Sequence, residues 1–269
     1  MPRFLVFRLY GPLASWGEVA VGEIRSTAIH PTRSALLGLL AAALGLRRDA
    51  EDEHAELSRT LRFAVRVESA GVPLSDYHTA QVMAPRRGRV DATRKAQLRG
   101  RRVDLETILS RRDYRCDALY TVVAWQEGAP QGPPLWPLDA LARALERPVF
   151  PLYLGRKSCP PGLPLSPRVL DAPSAAVAFE TVDLPLPFPL PVERMRDGGR
   201  AHLGIYWEGS PEIAGLEAEE STLRRDDPGS RLRRDYRTRR ELFTPVFRRD
   251  EDPDGKEDSD VSEPYPPFS

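Results

Sequence analysis

The chain has 269 residues, of which 41% are hydrophobic and 29% charged. This composition is typical of a soluble globular protein, long enough to bury a full core in one large or two small domains. The longest apolar stretch, residues 35–46, is too short to span a bilayer, and the amino terminus lacks the layout of a signal peptide. We therefore expect a cytoplasmic protein with no membrane partner.

The residue types needed for common catalytic centres are missing or scattered. Cys116 and Cys159 are far apart and have no histidines at ligand spacing, so they predict neither a disulfide framework nor a zinc site. We expect both to be buried, reduced thiols. There is no GxxxxGKS phosphate loop and no acidic cluster with two-metal spacing. We expect no metal, no cofactor, no nucleotide hydrolysis and no metal-dependent nuclease activity.

The formal net charge of zero hides an uneven distribution. Residues 250–269 contain eight acidic residues and one lysine, so this stretch carries a net charge of minus seven, and the rest of the chain carries plus seven. The stretch is poor in apolar residues, and we expect it to form a mobile acidic tail. Only three of the 39 basic residues are lysines, and the other 36 are arginines.

The first half of the chain contains alternating strand and helix patterns. The predicted strands are residues 4–10, which a turn at 11–17 closes, and 61–71, 116–126 and 149–155. The predicted helices are residues 30–46 and 134–148. Thr32 or Ser34 is expected to cap the first helix and Gly45 to end it. Because this helix is apolar all round, it should be covered on most sides.

The order of these elements predicts the fold class. It reads strand, helix, strand, a long basic insertion, strand, helix, strand, which is the order of a ferredoxin-like unit. We predict an α+β protein with an antiparallel sheet and two helices, the RRM-like topology of the commonest RNA-binding module. This core covers residues 1–162 and includes an extended basic thumb insertion at about 78–115.

The second half is predicted to be rich in β-structure. Proline-rich residues 184–191 argue against helices, while residues 176–184, 201–209 and 241–249 have strand-like patterns. We expect residues 163–249 to form a β-rich part packed on the core, followed by the acidic tail at 250–269.

The basic insertion indicates a polyanionic ligand. Residues 86–115 contain eleven basic and four acidic residues, and residues 224–240 form a second arginine-rich stretch. Like charges at this density repel one another unless an anion pairs with them, and a polyphosphate backbone supplies such an anion. Two basic arms favour a bound nucleic-acid strand. The alternative is a solvated, flexible loop without a specific purpose.

The start of the first helix also indicates an anion. The peptide dipole makes the amino-terminal end of a helix positive, so Arg33 is unfavourable there unless a negative group comes to the same place. We therefore expect an anionic ligand at Arg33.

Catalysis by histidine is the main alternative to simple binding. Of the four histidines, His54 lies in an acidic stretch and is expected to be exposed and idle. His78 could act as a general base on a ribose hydroxyl, with Lys95 or Lys157 stabilising the phosphorane, and this chemistry needs no metal. A metal-independent endoribonuclease is thus an open alternative, although a structural or RNA-contacting role for His78 is more common.

Five segments, in order over residues 4–162, resemble the CasD family of subunits from type I-E CRISPR Cascade complexes. They are FRLYGPLASWG, RSTAIHPTRSALLGLLAAALG, DYHT, LSRRDYRCDALYTVVAW and YLGRKSCPPG. The resemblance implies a RAMP protein with a ferredoxin-like core and an extended thumb. One departure is that the glycine-rich loop typical of RAMP proteins is reduced here to Gly155 and Gly162.

The resemblance also implies a function and partners. Such a subunit holds the five-prime handle of the CRISPR RNA and caps the backbone of a ribonucleoprotein in antiviral defence, next to the backbone subunit CasC and the large subunit CasA. The thumb would reach the target DNA strand. Members of this group do not cut RNA, because CasE matures the guide, whereas relatives in another subtype process the RNA themselves. YLGRKSCPPG belongs with the non-cutting group, so we expect no catalytic residues.

We expect the RNA to contact the start of the first helix, the turn before it, the thumb and the loop after residue 155. Arg33 and the free amides there would hold a phosphate of the handle. Trp16 could stack on a base or, equally, only cover the sheet. The predicted RNA-binding residues are Trp16, Arg25, His30, Thr32, Arg33, Ser34, His78, Arg99, Arg101, Arg102, Arg111, Arg112, Arg115, Arg156 and Lys157.

Overall fold

The computed structural model describes residues 1–18, 20, 22–83, 93–97, 105–127, 134–184, 203–233 and 235–246. Within these ranges the strands form a nine-stranded sheet and a separate two-stranded one. The neighbouring strands are antiparallel except for β3, which runs parallel to β7. The predicted class, a mixed α+β protein with a large antiparallel sheet, is confirmed. No helix in the described ranges is long and apolar enough to cross a membrane.

The strands are β1 (Arg3–Ala14), β2 (Trp16–Gly17), β3 (Ile24–Arg25), β4 (Thr27–Ala28), β5 (Leu61–Ser69), β6 (Val72–Met83), β7 (Leu105–Gln126), β8 (Arg168–Asp171), β9 (Gly204–Trp207), β10 (Glu220–Ser230) and β11 (Asp235–Pro245). The helices are α1 (Arg33–Leu44), α2 (Glu51–Thr60), α3 (Arg94–Gln97), α4 (Leu138–Glu146), α5 (Ala175–Thr181) and α6 (Pro211–Ala214).

Four strands form one half of the large sheet, in the order β8, β1, β7, β5, with β8 at the edge. Alternate side chains of a strand point to opposite faces of the sheet. On β1, Leu5, Phe7 and Leu9 pack in one hydrophobic cluster, while Phe4 and Val6 pack in another. The sheet is therefore covered on both faces, which explains why this strand is almost continuously apolar.

Helices α1 and α4 contribute to the first cluster, and α5 and α6 contribute to the second. Thr32 caps α1, because its side chain accepts a hydrogen bond from the amide of Ala35. Gly45 ends the helix in the left-handed conformation at φ 79°. Both features agree with the sequence prediction.

The outer side of α1 is covered by the β10–β11 hairpin. Arg231 of this hairpin donates a 2.8 Å hydrogen bond to the carbonyl of Ser34. Its guanidinium lies so close to Gly38 that a Cβ there would be 3.1 Å from Nη1. This packing confirms that the apolar helix is covered on most of its sides.

The strands of the second half extend the same sheet rather than forming another one. β9 pairs with β5, β11 pairs with β9, and β10 pairs with β11 at the edge. β8 pairs with the other side of β1.

Several predicted elements were wrong. Residues 149–155 form no strand, because the amides of Val149 and Phe150 instead donate to the carbonyls of Ala43 and Ala42 at the end of α1. Residues 176–184 were predicted as a strand, but residues up to Thr181 belong to α5, which Ser174 caps. β1 also continues to Ala14, through the predicted turn. The sequence analysis missed α2 altogether. Cys159 is buried as expected, whereas Cys116 is only half-buried.

Candidate nucleic-acid interface

A two-stranded arm extends from the central sheet. The first half of the 22-residue strand β7 pairs with β6, and the second half pairs with β1 and β5. The change of partners coincides with two positive φ angles, 55° at Asp117 and 67° at Gly71. We call β6 and residues 105–116 of β7 the arm. Residues 105–115 of the predicted basic loop are thus a regular strand.

Three arginines meet at the base of the arm, because β3 adds to the free side of β7. Ile24 pairs with Arg111, and Arg25 pairs with Arg112. Arg111 donates to Asp113 at 3.2 Å and to Ser75 at 3.0 Å. Arg25 is exposed and Arg112 is half-buried, and neither forms a salt bridge with any residue that the structure describes. Arg111 is therefore paired with a carboxylate, while Arg25 and Arg112 keep their positive charge without a salt bridge among the described residues.

Arg156 braces this region instead of facing solvent. It donates to the carbonyl of Asp113 at 3.1 Å and to that of Arg25 at 2.8 Å. Its guanidinium also lies over the ring of Tyr114, at 4.7 Å from the centroid. The prediction that Arg156 is a free phosphate ligand is therefore corrected to a structural role. Lys157, the next residue, is exposed beside it.

Arg115 is also less available than predicted. Its side chain is half-buried, and its Nε atom is buried with no hydrogen-bond acceptor among the described residues. The guanidinium of Arg115 is therefore less accessible than that of exposed Arg25.

His78 lies on the exposed part of β6, opposite Ser110. Its Nε2 is 2.5 Å from a carboxylate oxygen of Asp76, two residues earlier on the same face of the strand. Both side chains are close to half exposed. A nucleic-acid strand on the arm could therefore reach His78.

The negative groups at the start of α1 come from the protein itself. The amide of Arg33 donates to Asp226 at 2.8 Å, and its Nε donates to Asp227 at 2.8 Å. Its Nη1 forms a buried salt bridge with Glu208. The side chain of Arg33 is only 5% exposed. The expectation of an anionic ligand there, an RNA phosphate, was wrong, because carboxylates of the protein itself occupy the position.

Arg33 belongs to a larger buried network, which we call the ionic cluster. Its members are His30, Arg33, Glu208, Arg224, Asp226, Asp227, Arg239 and Glu241. Arg239 donates to Asp226 at 2.7 Å and to Glu241 at 2.6 Å. The cluster joins the start of α1 to β9, β10 and β11, so it fastens the hairpin to the core.

The pKa values of two carboxyl groups in the cluster shift in opposite directions, because burial raises a carboxyl pKa and nearby positive groups lower it. Burial raises the pKa of Glu208, against the effects of Arg33 and Arg239. Burial alone would also raise the pKa of Glu241, but the hydrogen bond from His30 and the nearby arginines lower it to about 2. A buried carboxylate remains charged only where such partners compensate its desolvation.

The other predicted ligands near α1 are also occupied. His30 stacks on Tyr206, with ring centroids 3.7 Å apart, and its Nε2 is 3.3 Å from Glu241. Burial lowers the pKa of His30. Thr32 is buried, and its hydroxyl oxygen accepts the hydrogen bond that caps α1. His30 and Thr32 are therefore structural, while half-buried Ser34 still lines a surface cavity.

Trp16 covers the sheet and is not a free stacking surface. Its side chain is 1% exposed and packs edge-to-face on Tyr120, with centroids 5.7 Å apart. Of the two alternatives from the sequence, the structure supports the one in which this ring is part of the core.

Three predicted ligands, Arg99, Arg101 and Arg102, lie outside the described residues, as does the acidic tail. Sequence reasoning missed the carboxylates of the ionic cluster. The available signal was the RRDDPG segment at 224–229, in which two aspartates follow two arginines.

Comparisons with known proteins agree with this architecture. The family model described as CRISPR-associated protein (Cas_Cas5) matches residues 4–242. The "CRISPR system Cascade subunit CasD" of Escherichia coli (strain K12) is 36% identical over 173 residues, which cover 61% of this chain and 70% of that protein.

Two solved structures are similar. A chain of a "CRISPR RNA-guided surveillance complex" has 29% sequence identity and a TM-score of 0.60, covering 90% of this chain and 89% of its own length. A chain from a "Crystal structure of Cas protein" has 29% sequence identity and a TM-score of 0.49, and the match covers 90% of this chain and 95% of that chain. The predicted resemblance to CasD is confirmed, and the chain belongs to the CRISPR-associated Cas5 family.

Proposed function

We propose that this protein is the non-catalytic subunit that holds the five-prime handle of the CRISPR RNA in a type I-E Cascade complex. The observation that carries the proposal is the group of arginines at the base of the arm. Arg25 and Arg112 are neighbours on paired strands and lack carboxylate partners in the described part of the chain. Exposed Lys157 lies next to the loop residue that braces them.

This arrangement suits the backbone of a single strand. Arginine presents a planar fork of donors that matches a phosphate, and two such forks on adjacent strands can hold neighbouring phosphates. The brace from Arg156 to Arg25 and Asp113 keeps the site in place before the RNA arrives. Preorganisation of this kind reduces the entropy lost on binding.

The order of the four strands β8, β1, β7 and β5 supports a ferredoxin-like core for this function. In the order β8, β1, β7, β5, each neighbouring pair is antiparallel, with α1 and α2 between β1 and β5 in the chain and α4 between β7 and β8. We propose that this core caps the backbone beside CasC and CasA, in the cytoplasm, and that the arm faces the target DNA. The similarity to a Cascade subunit and to a chain of an RNA-guided surveillance complex supports these partners.

The experiment is a binding titration of the full chain with a labelled handle RNA. The Arg25→Gln and Arg112→Gln variants should each weaken binding severalfold and reduce the slope of log affinity against log salt by roughly 0.7 for a single strand. Arg168→Gln, which removes an exposed arginine from β8, is the matched control. Equal losses in all three variants would contradict a specific site on the arm.

A metal-independent endoribonuclease is the second candidate, since His78 is exposed and contacts Asp76. Such a pair could orient a general base toward a ribose hydroxyl. Incubation of the protein with repeat RNA in EDTA separates the two functions. Specific cleavage that disappears in the His78→Ala variant would overturn the non-catalytic proposal, and intact RNA supports it.

A further inference from the structure

The β10–β11 hairpin divides its arginines between two environments. Arg224 and Arg239 lie opposite each other on the inner face and pair with carboxylates of the ionic cluster. Arg225, Arg233, Arg237 and Arg240 are exposed instead. Within the described residues, none of these four has a carboxylate within salt-bridge distance.

Two of these exposed arginine side chains form hydrogen bonds with neutral groups. Arg225 donates to the carbonyl of Tyr236 at 3.1 Å, and Arg240 donates to the hydroxyl of Ser221 at 3.1 Å. These contacts fix the directions of the guanidinium groups without neutralising their charge. Glu220 and Asp235 are the exposed acidic residues of the described hairpin, so its four exposed arginines leave the surface with a net positive charge.

A cavity of about 340 Å³ lies beside this surface, between the hairpin and the start of α1. Leu223, Arg225 and Tyr236 line one side of it, Thr32 and Ser34 line another, and Glu18 and Asp226 also contribute to its lining. Arg224 lines it as well, and its Nη2 lies 3.7 Å from the carboxylate of Glu18. Of the two arginines that line the cavity, only Arg225 lacks a salt bridge with a described residue.

We propose that the exposed arginines of the β10–β11 hairpin form a second nucleic-acid surface, which binds the phosphodiester backbone without reading bases. It lies at the β10 edge of the sheet, whereas the arm is built on β7. The inference therefore goes beyond the handle site on the arm.

The chemistry of the surface favours nucleic acid over a protein partner. Arginine occurs at both kinds of interface, but the core of a protein interface is apolar. On this surface the large exposed apolar side chains are Leu223 and Leu232, on β10 and in the turn, and the four arginines outnumber them. Phosphate contacts need no apolar core, because release of counterions supplies much of the binding free energy.

The rigidity of the hairpin supports the same conclusion. The ionic cluster holds its inner face, and Arg231 and Ser230 attach its turn region to Ser34 and Glu51. The exposed arginines therefore lie on a hairpin whose position relative to the core is held by these contacts.

The test uses the full chain and three labelled probes of equal length without the handle sequence: a DNA duplex, a single-stranded DNA and a single-stranded RNA. The triple variant Arg225→Gln, Arg237→Gln, Arg240→Gln is compared with the triple variant Arg143→Gln, Arg147→Gln, Arg168→Gln. The control removes the same charge from exposed positions on α4, after α4 and on β8.

The hairpin variant should lose roughly tenfold to hundredfold in affinity at physiological salt for at least one probe, with a salt slope reduced by about 2 to 3, while the control changes little. The probe most affected identifies the strand that binds. Equal losses in both variants, or no loss, would overturn the proposal. So would unchanged nucleic-acid binding together with lost binding to poly-glutamate, which would indicate an acidic protein partner.

The result is separable from the handle site. The hairpin variant should retain the affinity for handle RNA that Arg112→Gln loses, because the two surfaces are on different strands. Thermal melting of both triple variants should match the wild type, since all six side chains are exposed.

Discussion

The backbone amide of Arg33 donates a 2.8 Å hydrogen bond to the carboxylate of Asp226, which lies 193 positions later in the chain. Asp226 thus supplies at the start of α1 the negative charge that a helix dipole favours. The same carboxylate accepts from Arg239, so one residue joins the core helix to the edge hairpin. The basic stretch at 224–240 is for this reason partly a structural clamp.

Removal of Arg33 should strongly destabilise the fold. In the Arg33→Ala variant, Glu208 keeps only Arg239 and Asp227 loses its salt bridge. Breaking a buried pair in this way costs about 3 to 5 kcal/mol. Urea denaturation followed by circular dichroism measures the free energy of unfolding. The control is Arg3→Ala, which removes an exposed pair with Asp139 and should leave the transition midpoint unchanged. An equally stable Arg33→Ala variant would contradict the role of the cluster.

Acidification should weaken the fold through His30. Burial lowers the pKa of His30 below its ordinary value of 6.5, so the unfolded chain takes up a proton that the folded chain resists. The free energy of unfolding should therefore fall as the pH drops below 6.5. Arg224 on β10 opposes protonation, while Glu241 on β11 favours it, and Tyr206 on β9 covers the ring.

The measurement is the difference between wild type and the His30→Gln variant in urea midpoints from pH 8 to pH 5. The difference is needed because Glu208, whose pKa is raised, changes stability in the opposite direction. The wild type should lose more stability than the variant over this range. Parallel pH curves would show that His30 does not titrate as its burial requires.

Substitution of Gly71 should disturb the junction between core and arm. Gly71 has φ 67°, and a Cβ there would lie 2.3 Å from the carbonyl oxygen of Cys116. The Gly71→Ala variant should therefore melt several degrees lower, since a left-handed conformation and a backbone clash act together. Gly17→Ala is the matched control, because a Cβ at Gly17 has no neighbour within 4 Å. Equal melting temperatures for the two variants would refute this explanation.

Trp16 should matter for stability and not for RNA affinity. Its buried ring packs on Tyr120, so Trp16→Ala should cost about 3 to 5 kcal/mol of unfolding free energy. Trp16→Phe should retain much of that stability and bind handle RNA as the wild type does. A large loss of RNA affinity in a folded Trp16→Phe protein would restore the stacking interpretation.

Local patterns predicted the elements whose residues determine their own conformation. The alternation of Phe63, Val65 and Val67 predicted β5, and Thr32 with Gly45 marked the ends of α1, because caps and strand faces depend on near neighbours. Residues 149–155 were wrongly predicted to be a strand, because an apolar run that packs against the end of a helix has the same composition as a buried strand.

The sequence by itself determined the α+β class, the apolar helix, the excess of arginine and the need for a negative charge at Arg33. Only the tertiary structure decided where that charge comes from, because Glu208, Asp226 and Asp227 lie almost two hundred residues away in the chain. The number of arginines can be read from the sequence, but burial and pairing in the fold decide which of their positive charges are balanced by carboxylates. Three arginines form salt bridges with carboxylates of the ionic cluster: Arg33, Arg224 and Arg239. Three others have no salt bridge among the described residues: Arg25, Arg112 and Arg225.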